Sequence, residues 1–280
     1  MSKGLGKGYK DLNKEEKEAI VEDYYKGIMV KDLIKIHNTT RRAVPAVLKE
    51  YNINTRRKNH YTLNEDYFET IDTEHKAYWL GFIAADGCIT DTNYFAISLK
   101  DRDILLELKK DLEYTGEIYY PEYNNNENIY SRINFSSKKI CNDLRKHGIH
   151  ENKSFTYNNL PNISDDLMPH FIRGYFDGDG SVYVSKSRKN INKGSDKVYN
   201  TYNFNIIATK EFCENLNAYL SPILLYNSKI TKHVGSNMYY YKISNKDILI
   251  KIYNYLYKDS TIYLNRKYNI WREILGSITE

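Results

Sequence analysis

The sequence predicts an α+β fold in two related halves, preceded by a small all-α unit. Three observations carry this. Residues 61–280 run twice through one order of elements: helix, two strands, helix, two strands, helix. Each run opens on an apolar helix with small residues four apart. Residues 13–53 show helical periodicity alone.

Composition bounds the reading. The 280 residues suffice for one large or two small domains with real cores. With 41% hydrophobic and 28% charged residues, the balance is that of a globular chain. No apolar run is long enough for a bilayer, and the N-terminus (MSKGLGKGYKDLNKEEK) lacks a signal-peptide core. A cytoplasmic protein without a membrane partner is expected. Cys88, Cys141 and Cys213 lie far apart with no CxxC spacing, so neither a disulfide framework nor a zinc site is expected. The net charge of +5 permits a polyanionic partner without requiring one. The 28 tyrosines accompany abundant Lys, Asn and Ile, as in an A/T-rich coding sequence, and are not read as a base-stacking surface.

The first domain is expected over 1–53. Asn13 with Glu16 forms a capping box; Ala19, Ile20, Tyr24 and Tyr25 follow at helical spacing, and Gly27 stops that helix. A second helix covers 30–37 with Leu33, Ile34 and Ile36 inward, and Asn38-Thr39 turns the chain. A third covers 40–51, with Val44, Val47 and Leu48 as core and Arg41 and Arg42 near its start. Pro45 removes a hydrogen bond from that helix unless it falls in the first turn, which requires a later start. The pattern is a helix-turn-helix, similar to the units of resolvases and transposases. There the last helix enters the major groove, so Arg41 and Arg42 are expected on DNA. Residues 54–63 read as a basic linker, with Arg56, Arg57 and Lys58 as an arm along the duplex.

The halves are expected over 64–165 and 166–280. They open with AYWLGFIAADGCIT (77–90) and HFIRGYFDGDGSVYV (170–184). Strands follow at 94–98 and 203–207, then helices at 101–113 and 210–220. Further strands are read at 117–120 and 129–135, and at 229–233 and 238–243. Each half then has Ser-x-Lys leading into an apolar helix, at 136–138 and 244–246. This order gives one four-stranded antiparallel sheet per half. A last helix over 261–274 turns Leu264, Tyr268 and Trp271 inward, with Arg266 and Lys267 as candidates to face DNA. Between Val184 and Tyr199 lies a long loop or hairpin tip holding Lys186, Arg188, Lys189 and Lys193, suited to run along phosphates. His75 and His170 are expected to cap or pack before the opening helices.

Gly81 and Ala85, and Gly174 and Gly178, put a small-residue face on each opening helix, so the two are expected to pack at a pseudo-twofold axis. Each helix ends in Asp-Gly, Asp86-Gly87 and Asp179-Gly180. Two carboxylates at the negative ends of touching helices repel, which predicts a compensating cation. Oxygen ligands favour Mg2+, and paired acidic metal sites recur in nucleases.

These segments resemble the LAGLIDADG homing endonuclease family over residues 61–280. The copies stand here as WLGFIAADG and IRGYFDGDG; the first has Ala84 where the second keeps Asp177. The family's catalytic acid is the last one, hence Asp86 and Asp179. The resemblance implies a single-chain monomer whose two αββαββα halves form a saddle on double-stranded DNA. It implies cleavage of both strands at a long non-palindromic site with two or more Mg2+ ions at Asp86 and Asp179. The Ala85 and Gly178 carbonyls would complete the metal coordination. Lys138 and Lys246, at matching strand-to-helix junctions, would stabilise phosphate charge. A regulator or RNA maturase that lost cleavage is the rival reading, against which both aspartates survive; a recombinase would need a nucleophilic Ser or Tyr constellation that the motif lacks. No intein splicing residues flank the halves, so a free-standing or intron-encoded enzyme is expected.

Overall fold

A computed structural model describes residues 6–26, 28, 30–53, 61–119, 130–188 and 198–279. The chain divides into two compact units, Met1–His60 and Tyr61–Glu280.

In the first unit, helices α1 (Lys14–Tyr25), α2 (Val30–Ile36) and α3 (Ala43–Glu50) enclose Ile20, Leu33, Ala43, Val44, Val47 and Leu48. The capping box forms: Glu16 N donates to Asn13 Oδ1 at 2.9 Å and Asn13 N to Glu16 Oε2 at 3.0 Å. Helix α3 starts at Ala43, later than position 40, and so Pro45 lies in its first turn, where no intrahelical N–H is needed. Arg41 and Arg42 are exposed in the turn before it rather than on the helix itself. Gly27, expected to stop α1, lies outside the described residues.

The second unit is α+β with two antiparallel sheets. The first half holds α4 (Glu74–Asp86), β1 (Cys88–Ile89), β2 (Tyr94–Leu99), α5 (Arg102–Asp111), β3 (Ser131–Ser136) and α6 (Lys138–Lys146). Among the described residues its sheet runs β1-β2-β3, where four strands were expected. Of the strand expected over 117–120, Tyr119 forms a bridge with Arg132, and residues 120–129 lie outside the described ones. The second half holds α7 (Met168–Asp179), β4 (Gly180–Arg188), β5 (Val198–Ala208), α8 (Lys210–Leu224), β6 (Thr231–Lys232), β7 (Tyr239–Ile243), α9 (Lys246–Tyr257) and α10 (Asn265–Thr279). Its sheet runs β4-β5-β7-β6. The two ends of the basic segment are strand: β4 and β5 pair from Gly180 with Ile206 out to Arg188 with Val198, and residues 189–197 lie outside the described ones.

Helices α4 and α7 form the centre. Every residue of α4 from Ala77 to Ala85 is buried, as in a helix enclosed on all sides. The crossing is backbone on backbone. A Cβ at Gly81 would stand 2.8 Å from Tyr175 N, and one at Gly174 would stand 2.9 Å from Phe82 N. The second sheet packs on this pair through Phe176 of α7 stacked on Phe204 of β5, and in the first sheet Phe95 stacks on its cross-strand neighbour Phe135, both at 4.8 Å.

An ionic clamp ties the halves at the other end of the pair. Arg173, fully buried in α7, donates to Glu74 Oε1 at 2.7 Å at the start of α4. It also donates to the Ile262 and Leu256 carbonyls at 2.9 and 2.6 Å. Glu74 in turn accepts from Thr261 N at 2.7 Å.

Candidate active site

Asp86 and Asp179 are the last residues of α4 and α7. Their helices cross so closely that a Cβ at Gly178 would lie 3.3 Å from Asp86 Oδ2. The two aspartates line one cavity of about 340 Å³ with Lys153, Tyr157, Tyr175 and Thr209. The glycines after them do not take the left-handed cap conformation that a helix stop usually exploits: φ is −72° at Gly87 and −96° at Gly180. They are needed for room, because a Cβ would meet the Ile83 carbonyl oxygen at 2.8 Å and the Phe176 carbonyl oxygen at 2.6 Å.

Burial pushes the Asp179 carboxyl up to about 6, and the Asp86 charge adds to the rise. Loss of water also raises Asp86, which keeps an exposed face; the charges of Lys267, Lys153 and Arg266 oppose that rise.

The two lysines come from outside both motifs. Lys153, in a short 3-10 turn (Lys153–Phe155), is buried and donates to the Ala85 carbonyl. Lys267, in the first turn of α10, is buried and donates to the Gly178 carbonyl at 3.2 Å. Ala85 and Gly178 hold matching places, each one residue before an aspartate, so the lysines are pseudosymmetric partners. Lys267 also reaches the carbonyls of Phe176 (2.7 Å), Asp177 (2.7 Å) and Gly180 (2.6 Å). An ammonium has three hydrogens, so these four contacts are shared among them. Burial lowers Lys267 to about 8 and lowers Lys153 as well, against the pull of nearby aspartates.

The negative ends of the helices are met in part by protein cations, and the Ala85 and Gly178 carbonyls, expected as metal ligands, accept from Lys153 and Lys267. Lys138 and Lys246 are exposed first residues of α6 and α9, and Lys246 lies over the Tyr202 ring at 5.4 Å. Lys153 and Lys267 are the lysines whose charges act on both aspartates. The missed signal was positional: each lysine follows the last helix of its repeat. Lys267, a candidate to face DNA, is turned inward, while Arg266 pairs with Asp101 at 2.9 Å.

Other expected residues fall elsewhere. Lys186 is exposed on β4, opposite Asn200. The backbone of Arg188 closes that strand, while Arg56, Arg57, Lys58, Lys189 and Lys193 lie outside the described residues. His75 packs rather than caps, with Nδ1 at 2.7 Å from Asp111 Oδ2 and Nε2 at 3.2 Å from Thr261 Oγ1. His170 Nδ1 lies 2.9 Å from Arg173. No described helix is long and apolar enough to cross a membrane.

Comparison with known proteins agrees with this geometry. Residues 172–275 match the model of the LAGLIDADG endonuclease family. Meganuclease I-SmaMI bound to uncleaveable DNA superposes with a TM-score of 0.53 at 16% identity, over 72% of this chain and 89% of the other. LAGLIDADG meganuclease I-AabMI bound to uncleaved DNA gives 0.51 at 16% identity, over 74% and 92%. The I-LtrWI LAGLIDADG homing endonuclease bound to target DNA gives 0.51 at 13% identity, over 77% and 92%. An uncharacterized protein of Methanocaldococcus jannaschii is 26% identical over 148 residues, 50% of this chain and 54% of that protein, so the chain spans about half the length of its curated relative. Residues 172–275 thus resemble the LAGLIDADG endonuclease family, and the chain has the fold of the LAGLIDADG meganucleases.

Proposed function

We propose that this chain is a site-specific endodeoxyribonuclease that cuts both strands of a long non-palindromic DNA site with Mg2+. The observation that carries the reading is the pair Asp86 and Asp179, one from each half, in one cavity and each backed by a buried lysine.

The residues present fit a hard divalent cation. The donors are carboxylate oxygens, and Asp179 is held partly short of countercharge despite two nearby ammonium groups. Among the described residues no cluster of three or more His, Cys, Asp or Glu forms a cage, so Asp86 and Asp179 would hold the ion with the remaining positions left to water and phosphate. Bound there, Mg2+ would supply Lewis acidity and a more acidic water.

The chain's own groups do the rest. Lys153 and Lys267 hold positive charge beside the place where phosphate charge grows, in a partly dry site where it acts strongly. The close approach at Gly81 and Gly174 fixes the spacing of the two half-sites. The exposed Arg41 and Arg42, and Lys186 on β4, add duplex contacts. The single chain with two unlike halves suits a monomer on a non-palindromic site.

The test is to incubate the protein with DNA of its host, with and without Mg2+, beside Asp179→Asn, and to sequence the ends. Metal-dependent double-strand breaks at one locus, absent with the variant, are expected. Tight specific binding without cleavage in any divalent metal would favour a regulator or maturase.

A further inference from the structure

We infer that Asp177 is a positioning residue for Lys267, and that the first half lacks this device because Ala84 stands in its place. The inference deepens the nuclease reading and takes its activity arm from it.

Asp177 is fully buried and does not face the cavity of the acid pair. Its Oδ2 accepts from Leu264 N at 2.8 Å and from the Tyr78 hydroxyl at 2.9 Å. Leu264 immediately precedes α10, and its carbonyl accepts from Lys267 N at 3.0 Å, closing the helix's first turn. The carboxylate therefore grips the first turn of α10 from below, with its charge toward the positive end of that helix. Lys267, on the same turn, grips the carbonyls at the end of α7 from above. Tyr78 belongs to α4, so the first half aims the carboxylate that seats the second half's lysine.

The first half has no equivalent. Ala84 is buried and offers a methyl group, and the hydrogen bond found for Lys153 runs to one carbonyl, that of Ala85. The turn that carries Lys153 follows Asn152, which sits in the left-handed region at φ 59°. Among the described residues the two lysines are matched in place and unequal in hold: Lys267 has a carboxylate-anchored turn and four acceptors, Lys153 one acceptor.

Amine labelling of the metal-free full chain tests this without cleavage. Reductive methylation is followed peptide by peptide in wild type, Asp177→Ala and Asp177→Asn. Asp177→Ala should label Lys267 faster by roughly tenfold to a hundredfold, as a buried group loses charge-assisted hydrogen bonds, with Lys153 unchanged. Asp177→Asn keeps an acceptor for Leu264 N and should stay within about threefold of wild type. If Asp177→Ala does not fold, Tyr78→Phe, which removes the group aiming Oδ2, should give a smaller rise at Lys267 alone. Unchanged Lys267 labelling in a folded variant, or a parallel rise at Lys153, overturns the inference. Strand-resolved single-turnover cleavage adds a second arm. Asp177→Ala should slow the strand that Lys267→Met slows and spare the one that Lys153→Met slows; equal slowing of both also overturns it. If wild type cuts nothing, the nuclease reading falls while the labelling result still decides the role of Asp177.

Discussion

One added methyl group should part the central helices. A Cβ at Gly174 would lie 2.8 Å from the Tyr78 carbonyl carbon and 2.9 Å from Phe82 N, and closer still to the Tyr78 carbonyl oxygen. All three are backbone atoms of α4, so no rotamer change relieves the clash. Overpacking costs about 1–3 kcal/mol, and a rigid backbone contact belongs at the upper end. Alanine's better helix propensity returns about 1 kcal/mol, leaving a net loss of about 2 kcal/mol. Gly276 in α10 is the control: a Cβ there meets nothing within 4 Å, so Gly276→Ala should gain about 0.4–1 kcal/mol. Urea unfolding followed by tryptophan fluorescence reads this unit alone, because both tryptophans, Trp79 and Trp271, lie in it. A Gly174→Ala protein as stable as wild type, or a Gly276→Ala protein equally damaged, would refute the backbone contact.

Other perturbations follow from the same contacts. Asp179 moves from an ordinary 3.8 to about 6 on folding, so the folded state holds its proton more tightly than the unfolded chain. That contribution is present below about pH 4 and lost as pH rises through about 6, at most about 3 kcal/mol and nearer 1–2 with water in contact. In EDTA, Asp179→Asn should therefore melt above wild type near neutral pH, and the gap should close on acidification; a gap that does not depend on pH would contradict the cause given. Arg173→Met leaves the half-buried Glu74 without its arginine and should cost about 2–4 kcal/mol by urea unfolding, whereas a cost under about 1 kcal/mol would make the clamp incidental. Replacing Arg41 and Arg42 by alanine should lower the slope of log affinity against log salt by about 2, with no change in the cut position; an unchanged slope would remove them from the DNA surface.

The two carboxylates were legible in the sequence because a rule stood behind them: small residues four apart force two helices together, and Asp-Gly ends both. The capping box at Asn13 and the start of α3 demanded by Pro45 were legible for the same kind of reason. Lys153 and Lys267 were not. A lysine's burial depends on which carbonyls point at it across the fold, and in a chain rich in lysine nothing but their matching place after the last helix of each repeat sets these two apart. The same limit hid the Arg173–Glu74 clamp, whose partners stand 99 positions apart. Of the strand expected over 117–120 in the first sheet, Tyr119 forms one bridge among the described residues.

The central claim is that one aspartate from each half makes a single shared site. Single-turnover cleavage of the mapped target by Asp86→Asn, Asp179→Asn and the double variant tests it directly, with binding measured alongside. Each single change should cut the rate by at least about a hundredfold to a thousandfold with binding kept, and the double should be little worse than either, as for groups that act as a unit. Cleavage at the wild-type rate by either single variant, or losses that multiply independently, would contradict a shared site.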